Sequence, residues 1–125
     1  AIFIIGLPGE TRDDALETIK FSKEINPNYV AFNTAIPRVG TDLREESIES
    51  GYVEKDYLDM DQSGTYSAME TNELTPTDVS ELQKQAILEF YLRPSYIIKA
   101  IKSIKNFEDL KAYFVNALGL FKNLF

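Results

Sequence analysis

Four consecutive large apolar residues, Ile2-Phe3-Ile4-Ile5, stand directly before Gly6-Leu7-Pro8-Gly9. No other feature restricts the fold as much. An apolar run of strand length with no polar alternation is the pattern of a strand buried on both faces of a parallel sheet. The Gly-Leu-Pro-Gly sequence breaks that strand. Thr11 has Asp14 three residues later, the spacing of a capping box, and Leu16, Ile19 and Ile25 fall near one face, which predicts a helix over 12–25. Asn26-Pro27-Asn28 ends it, because proline disfavours helix in the residue before it. Tyr29 to Ile36 is again mostly apolar and predicts a second strand. Strand, helix and strand in this order make a βαβ unit, which is parallel and nearly always right-handed.

Pro37 to Gly40 reads as a loop, and Thr41 as the cap of a short helix over about 42–50, closed by Gly51. From Tyr52 to Thr75 the chain is polar and aperiodic, with Gly64 and three tyrosines, Tyr52, Tyr57 and Tyr66. That is long for a structureless loop, so a packed arm is expected, pinned by its tyrosines. Thr75, Pro76 and Asp78 then supply an N-cap, a first-turn proline and an early acid. Val79, Leu82, Ala86, Ile87, Phe90 and Tyr91 follow at helical spacing. Pro94 opens a further helix with Ile97, Ile101 and Ile104 on one face. Asn106 caps a last one, striped by Phe107, Leu110, Phe114, Leu118 and Phe121. The expected organisation is 1–51 for the two β/α units, 52–75 for the arm and 76–125 for the helices.

The chain has 125 residues, 44% hydrophobic and 26% charged, enough for one domain with a core. It contains no cysteine, which excludes disulfides, thiolate metal sites and cysteine nucleophiles, and no histidine, which removes the commonest general base. No apolar run approaches the roughly 20 residues of a membrane span, and no signal-peptide pattern opens the chain, so a cytoplasmic protein is expected. A buried strand at the very start, with Ala1 before it, leads us to expect that the natural chain continues upstream. The net charge of -7 is uneven: residues 93–125 carry six basic against two acidic residues, +4, and residues 1–92 seven against eighteen, -11. The acidic body argues against nucleic acid as a partner. The spaced lysines of the C-terminal part read as a solvated helix face, or as a contact for an anionic partner.

Two turns could carry chemistry. FIIGLPGET, residues 3–11, runs from strand through a glycine turn to a capped helix, where backbone and helix N-terminus can meet a ligand. It is neither a Walker loop, lacking Lys-Ser or Lys-Thr, nor a dinucleotide fingerprint, and such a turn also serves purely to reverse the chain. Glu10 reads equally as an acid favoured by the helix start. AIPRVGT, residues 35–41, ends the second strand, and ligands gather at the carboxyl ends of parallel strands. Arg38 in it could contact an anion or simply be solvated. Asp56, Asp59 and Asp61 lack the spacing and glycine of a calcium loop. No catalytic residue and no metal ligand is assigned to this chain.

FIIGLPGET, AIPRVGT some twenty-five residues later, and FYLRP in a long helix together resemble radical S-adenosylmethionine enzymes over about residues 1–100. The nearest group is the one whose members usually carry a cobalamin-binding domain, which includes the anaerobic magnesium-protoporphyrin IX monomethyl ester cyclases. The resemblance implies a C-terminal fragment of a partial (β/α)6 TIM-like barrel: its last two parallel strands plus a C-terminal helical cluster, an α/β fold. The parent would be an iron–sulfur oxidoreductase of cyclase or methyltransferase type, using S-adenosylmethionine and a [4Fe-4S] cluster, with cobalamin in part of the group. The cysteine loop that holds the cluster is not in this chain, so the fragment alone would hold no cofactor and be inactive. The strand ends would lie against the adenine, which makes Ile4, Gly6, Leu7, Ala35 and Ile36 the candidate cofactor-side residues, with Gly9 and Glu10 from the turn motif. Ile2 stands where related motifs often have glycine, and Val39 where a second proline is frequent. The implied partner is the missing N-terminal part of the barrel; a homodimer through the exposed strand edge or the C-terminal helices is the other. A regulatory α/β interaction module and a phosphate- or nucleotide-binding domain built on Gly6–Thr11 are the alternative functions.

Overall fold

A computed structural model describes residues 1–58, 67 and 69–124. The described residues form a mixed α/β structure with two parallel strands and five helices: β1 (Ile2–Ile5), α1 (Arg12–Ile25), β2 (Ala31–Thr34), α2 (Asp42–Glu49), α3 (Pro76–Tyr91), α4 (Pro94–Ser103) and α5 (Phe107–Leu124). Every element expected from the sequence is present. The second strand is shorter than Tyr29–Ile36, because β1 leaves the ladder at Gly6 and gives β2 only four partners, Ile2↔Ala31 through Ile5↔Thr34. Local chemistry sets the helix ends. Thr11 and Asp14 form the expected capping box, and Thr75 and Asp78 form another before α3, where Pro76 opens the helix. The hydrogen bonds from each threonine hold the carboxyls of Asp14 and Asp78 below the usual carboxylate range. Asn26 ends α1 in the left-handed region, φ 46°, which asparagine tolerates better than most residues.

The register puts Phe3, Ile5, Phe32 and Thr34 on one face of the sheet, and helices α1 and α3 cover that face. Ile5, Ile19, Phe32, Val79, Leu82 and Phe90 make its core, all at most 3% exposed. The opposite face carries Ile2, 70% exposed, and Ile4, 44% exposed. The strands are therefore covered on one face and not on both. The apolar run could not reveal this, because it does not encode that α1 and α3 pack on the same side. Helix α3 is tied to the sheet by Gln83, whose Nε2 donates to the Phe32 carbonyl (2.8 Å), and to α1 by Arg12–Asp78 (3.5 Å) and Lys23–Glu89. Both helices start at the carboxyl end of the strands and run back along them.

Three of the expected apolar stripes have members outside the core. Ile25 is exposed, since the buried stripe of α1 is Ala15, Ile19 and Ser22. Ile97 and Ile101 are exposed, and α4 buries no residue at all. Phe107, Leu110, Phe114 and Leu118 are exposed too, so the sheet is covered by α1 and α3 and not by the last helix. The side chain of Phe121 lies outside the described residues, as do Asp59, Asp61, Gly64 and Tyr66 of the arm. In the described part of the arm Val53, Ser67, Met69, Thr71 and Leu74 are buried, while Glu54, Lys55, Asp56 and Leu58 are exposed.

Candidate functional site

Two turns meet at the carboxyl end of the sheet. The Ala35 amide donates to the Ile5 carbonyl (2.8 Å), so Gly6 and Ala35 leave the strands side by side. Leu7-Pro8-Gly9-Glu10 closes as a turn by the Glu10 amide on the Leu7 carbonyl (3.0 Å), with proline second and Gly9 at φ 80° third, the type II arrangement. Arg38-Val39-Gly40-Thr41 closes likewise, with Thr41 donating to the Arg38 carbonyl from its amide (3.2 Å) and its hydroxyl (2.7 Å). Arg38 itself is exposed and engaged through other contacts.

The seven candidate residues divide sharply. Ile4 and Leu7 are the exposed apolar side chains, at 44% and 41%. Ala35 and Ile36 are buried, at 1% and 4%, and lie beneath the edge. The Glu10 carboxylate turns back on its own loop and accepts from the amides of Gly6 and Leu7 (3.2 Å from the latter). It fills the place where a phosphate would sit on those amides and adds a negative charge there, which counts against a phosphate cradle. Gly9 faces open space.

Gly6 has two reasons to be glycine. Its φ is 92°, and an added Cβ would meet both methyl groups of Val79 at 3.0 Å. Gly6→Ala is expected to cost about 2–3 kcal/mol, combining left-handed strain with the contact. Gly9→Ala, with the same sign of φ and no neighbour within 4 Å, should cost only about 1 kcal/mol. In urea denaturation the double variant Gly6→Ala/Val79→Ala should lose less than the sum of its singles; strict additivity would show that the contact carries nothing.

Arg44 is the residue that motif reading missed. It is 6% exposed, and its guanidinium donates to the carbonyls of Pro37 (3.1 Å), Lys55 (2.9 Å) and Tyr57 (2.7 Å). It therefore ties the second turn to the arm. One signal was available: a cation in the first turn of a helix sits at the wrong end of the macrodipole, which points to another task.

FYLRP lies at the opposite, amino end of the sheet. Phe90 is in the core, and the Tyr91 hydroxyl donates to the Val30 carbonyl (2.6 Å) and accepts from its amide (3.2 Å). Burial pushes that phenol up to about 12. Arg93 donates to the Lys23 carbonyl (2.9 Å) and Asn26 Oδ1 (2.7 Å) while lying over the Phe90 ring (4.2 Å). The motif clasps the α1–β2 connection and contributes nothing to the edge where the turns meet. Among the described residues no group of three or more His, Cys, Asp or Glu could hold a metal ion.

Over 103 residues the chain is 36% identical to a protein of Pyrococcus horikoshii named an uncharacterized methyltransferase, a match that takes in 79% of this chain and 21% of the relative. The chain thus spans about a fifth of the length of the curated relative it matches, and it is a homologue of that part of it. No family model matches the chain, and no solved structure does.

Proposed function

We propose that this chain forms one wall of the S-adenosylmethionine site in a methyltransferase of the radical type, and that its own part is to pack against the adenine. The homology to a methyltransferase supports the reaction class and the donor. The observation that carries the adenine assignment is the placement of Ile4 and Leu7. Both are exposed apolar side chains beside Gly6, at the carboxyl end of parallel strands, and Ile4 points away from the helices. In a sheet that closes into a barrel with its helices outside, that face is the interior. A flat heteroaromatic ring fits two aliphatic side chains and a glycine backbone better than an anion does, since Glu10 already occupies the amides. Ala35 and Ile36 would support the wall from beneath.

A [4Fe-4S] cluster, when bound in such an enzyme, cleaves S-adenosylmethionine reductively. This chain does not fit it: it has no cysteine, so every thiolate ligand would come from other segments of a longer protein. A cyclase reaction and a cobalamin site rest on the motif resemblance alone. The outer edge of β1 is where a further strand of that longer protein would pair, with a second copy as the other occupant.

Titration of the chain with S-adenosylmethionine, followed by amide NMR, tests the wall. Shifts should be confined to Ile4, Gly6, Leu7 and Ala35, with millimolar affinity, about -4 kcal/mol, because most of the site is elsewhere. Ile4→Glu should abolish them. Shifts centred on any other part of the chain, or none at these four amides, would overturn the reading.

A further inference from the structure

Helix α4 is held with its apolar face outward. Its inner side is fixed by Tyr96, which packs on Phe90 (5.4 Å between ring centroids) and donates to the Asn28 carbonyl (3.2 Å), and by Lys99, which donates to the Asn26 carbonyl (3.2 Å). At 3.6 residues per turn, Ile97, Ile98 and Ile101 fall on the far side of the helix from these anchors, and they are 42%, 53% and 62% exposed. An amphipathic helix ordinarily buries such a face. Helix α5 adds a second exposed apolar stripe. Phe107, Phe114 and Leu118 form one stripe, 79%, 64% and 54% exposed. The two helices are joined by the 2.6 Å hydrogen bond between Ser103 Oγ and the Tyr113 hydroxyl.

The charge around these faces is predominantly positive, with Glu108 and Asp109 of the first turn of α5 as the acidic exceptions. Lys102, Lys105 and Lys111 are exposed beside them, and residues 93–125 carry +4 against -11 for the remainder. We propose that α4 and α5 seat the protein on an anionic lipid surface, with the apolar faces at the level of the acyl chains and the lysines among the headgroups. An amphipathic helix with lysines beside its apolar stripe lies in the interface and does not cross it, and no helix among the described residues is long and apolar enough to cross a membrane. The acidic remainder is repelled by the same surface, which orients the molecule with its helices down. A second copy meets the apolar requirement but not the electrostatic one, since facing stripes bring the lysines of both copies together.

Flotation of the full chain with vesicles tests this, using equal parts phosphatidylglycerol and phosphatidylcholine against pure phosphatidylcholine. The chain should float with the anionic vesicles, at least tenfold more weakly with the zwitterionic ones, and be released by high salt. Lys102→Gln/Lys111→Gln should weaken anionic binding about 25-fold, roughly fivefold per lysine. Ile98→Glu/Phe114→Glu should lose binding at least tenfold while its melting curve stays that of the parent, because both side chains are exposed. No flotation, equal flotation with both vesicles, or flotation unchanged in the glutamate variant overturns the proposal. So does a dimer near twice 14.2 kDa in lipid-free sedimentation that Phe114→Glu converts to monomer and anionic vesicles leave intact.

Discussion

Phe90→Ala will lower the unfolding free energy by about 3–5 kcal/mol. Phe90 is fully buried and touches three rings, Phe32 (6.5 Å), Tyr91 (5.0 Å) and Tyr96 (5.4 Å). Its removal leaves a cavity where α3, β2 and α4 converge. It also takes away the ring under Arg93, the side chain that clasps the end of α1. Urea unfolding followed by circular dichroism gives the loss. Phe90→Leu, which refills most of the volume, should lose no more than about 1.5 kcal/mol. Equal costs for alanine and leucine would show that the cavity is not what destabilises the protein.

Arg44→Met will cost about 3 kcal/mol, and its effect will be local before it is global. Methionine keeps the apolar stem but removes the hydrogen bonds that Arg44 donates to the carbonyls of Pro37, Lys55 and Tyr57. Each buried unpaired acceptor costs about 1–3 kcal/mol, less where water can enter. Arg44→Lys should recover under half of the loss, because one ammonium cannot span three carbonyls as a planar fork does. Hydrogen exchange should speed up first in the segments Arg44 joins, 37–41 and 52–58, with the core of α3 protected until global unfolding. Uniformly faster exchange would mean that Arg44 stabilises the whole domain rather than the tie between turn and arm.

Elements whose chemistry is complete within four residues were legible. The Thr11–Asp14 and Thr75–Asp78 boxes, Pro76, Pro94 and the glycine turns each depend on neighbours in the chain, and the structure has them as expected. The parallel pairing of the strands also followed, because a crossover helix leaves little alternative.

The sequence by itself determined the elements, the capped helix starts, their order and the edge at which the two turns meet, but not the ends of the second strand. Only the tertiary structure decided which faces are covered. Gln83 reaches Phe32 across 51 residues, and Tyr91 reaches Val30 across 61. Such contacts bury one face of the sheet and leave Ile2 and Ile4 bare, and no local pattern encodes that choice. Helix α5 shows the same limit from the other side. Its periodic stripe predicts an amphipathic helix, and the helix is there, yet period alone cannot say what the stripe faces. Glu10 and Arg44 belong to this class as well. Glu10 read as an acid of the helix start and Arg44 drew no assignment, but folding set one carboxylate on its own turn and one guanidinium on three carbonyls outside its helix. A charged side chain is committed by whichever polar groups the packed chain brings within about 3 Å of it, and that is settled only when the chain has closed.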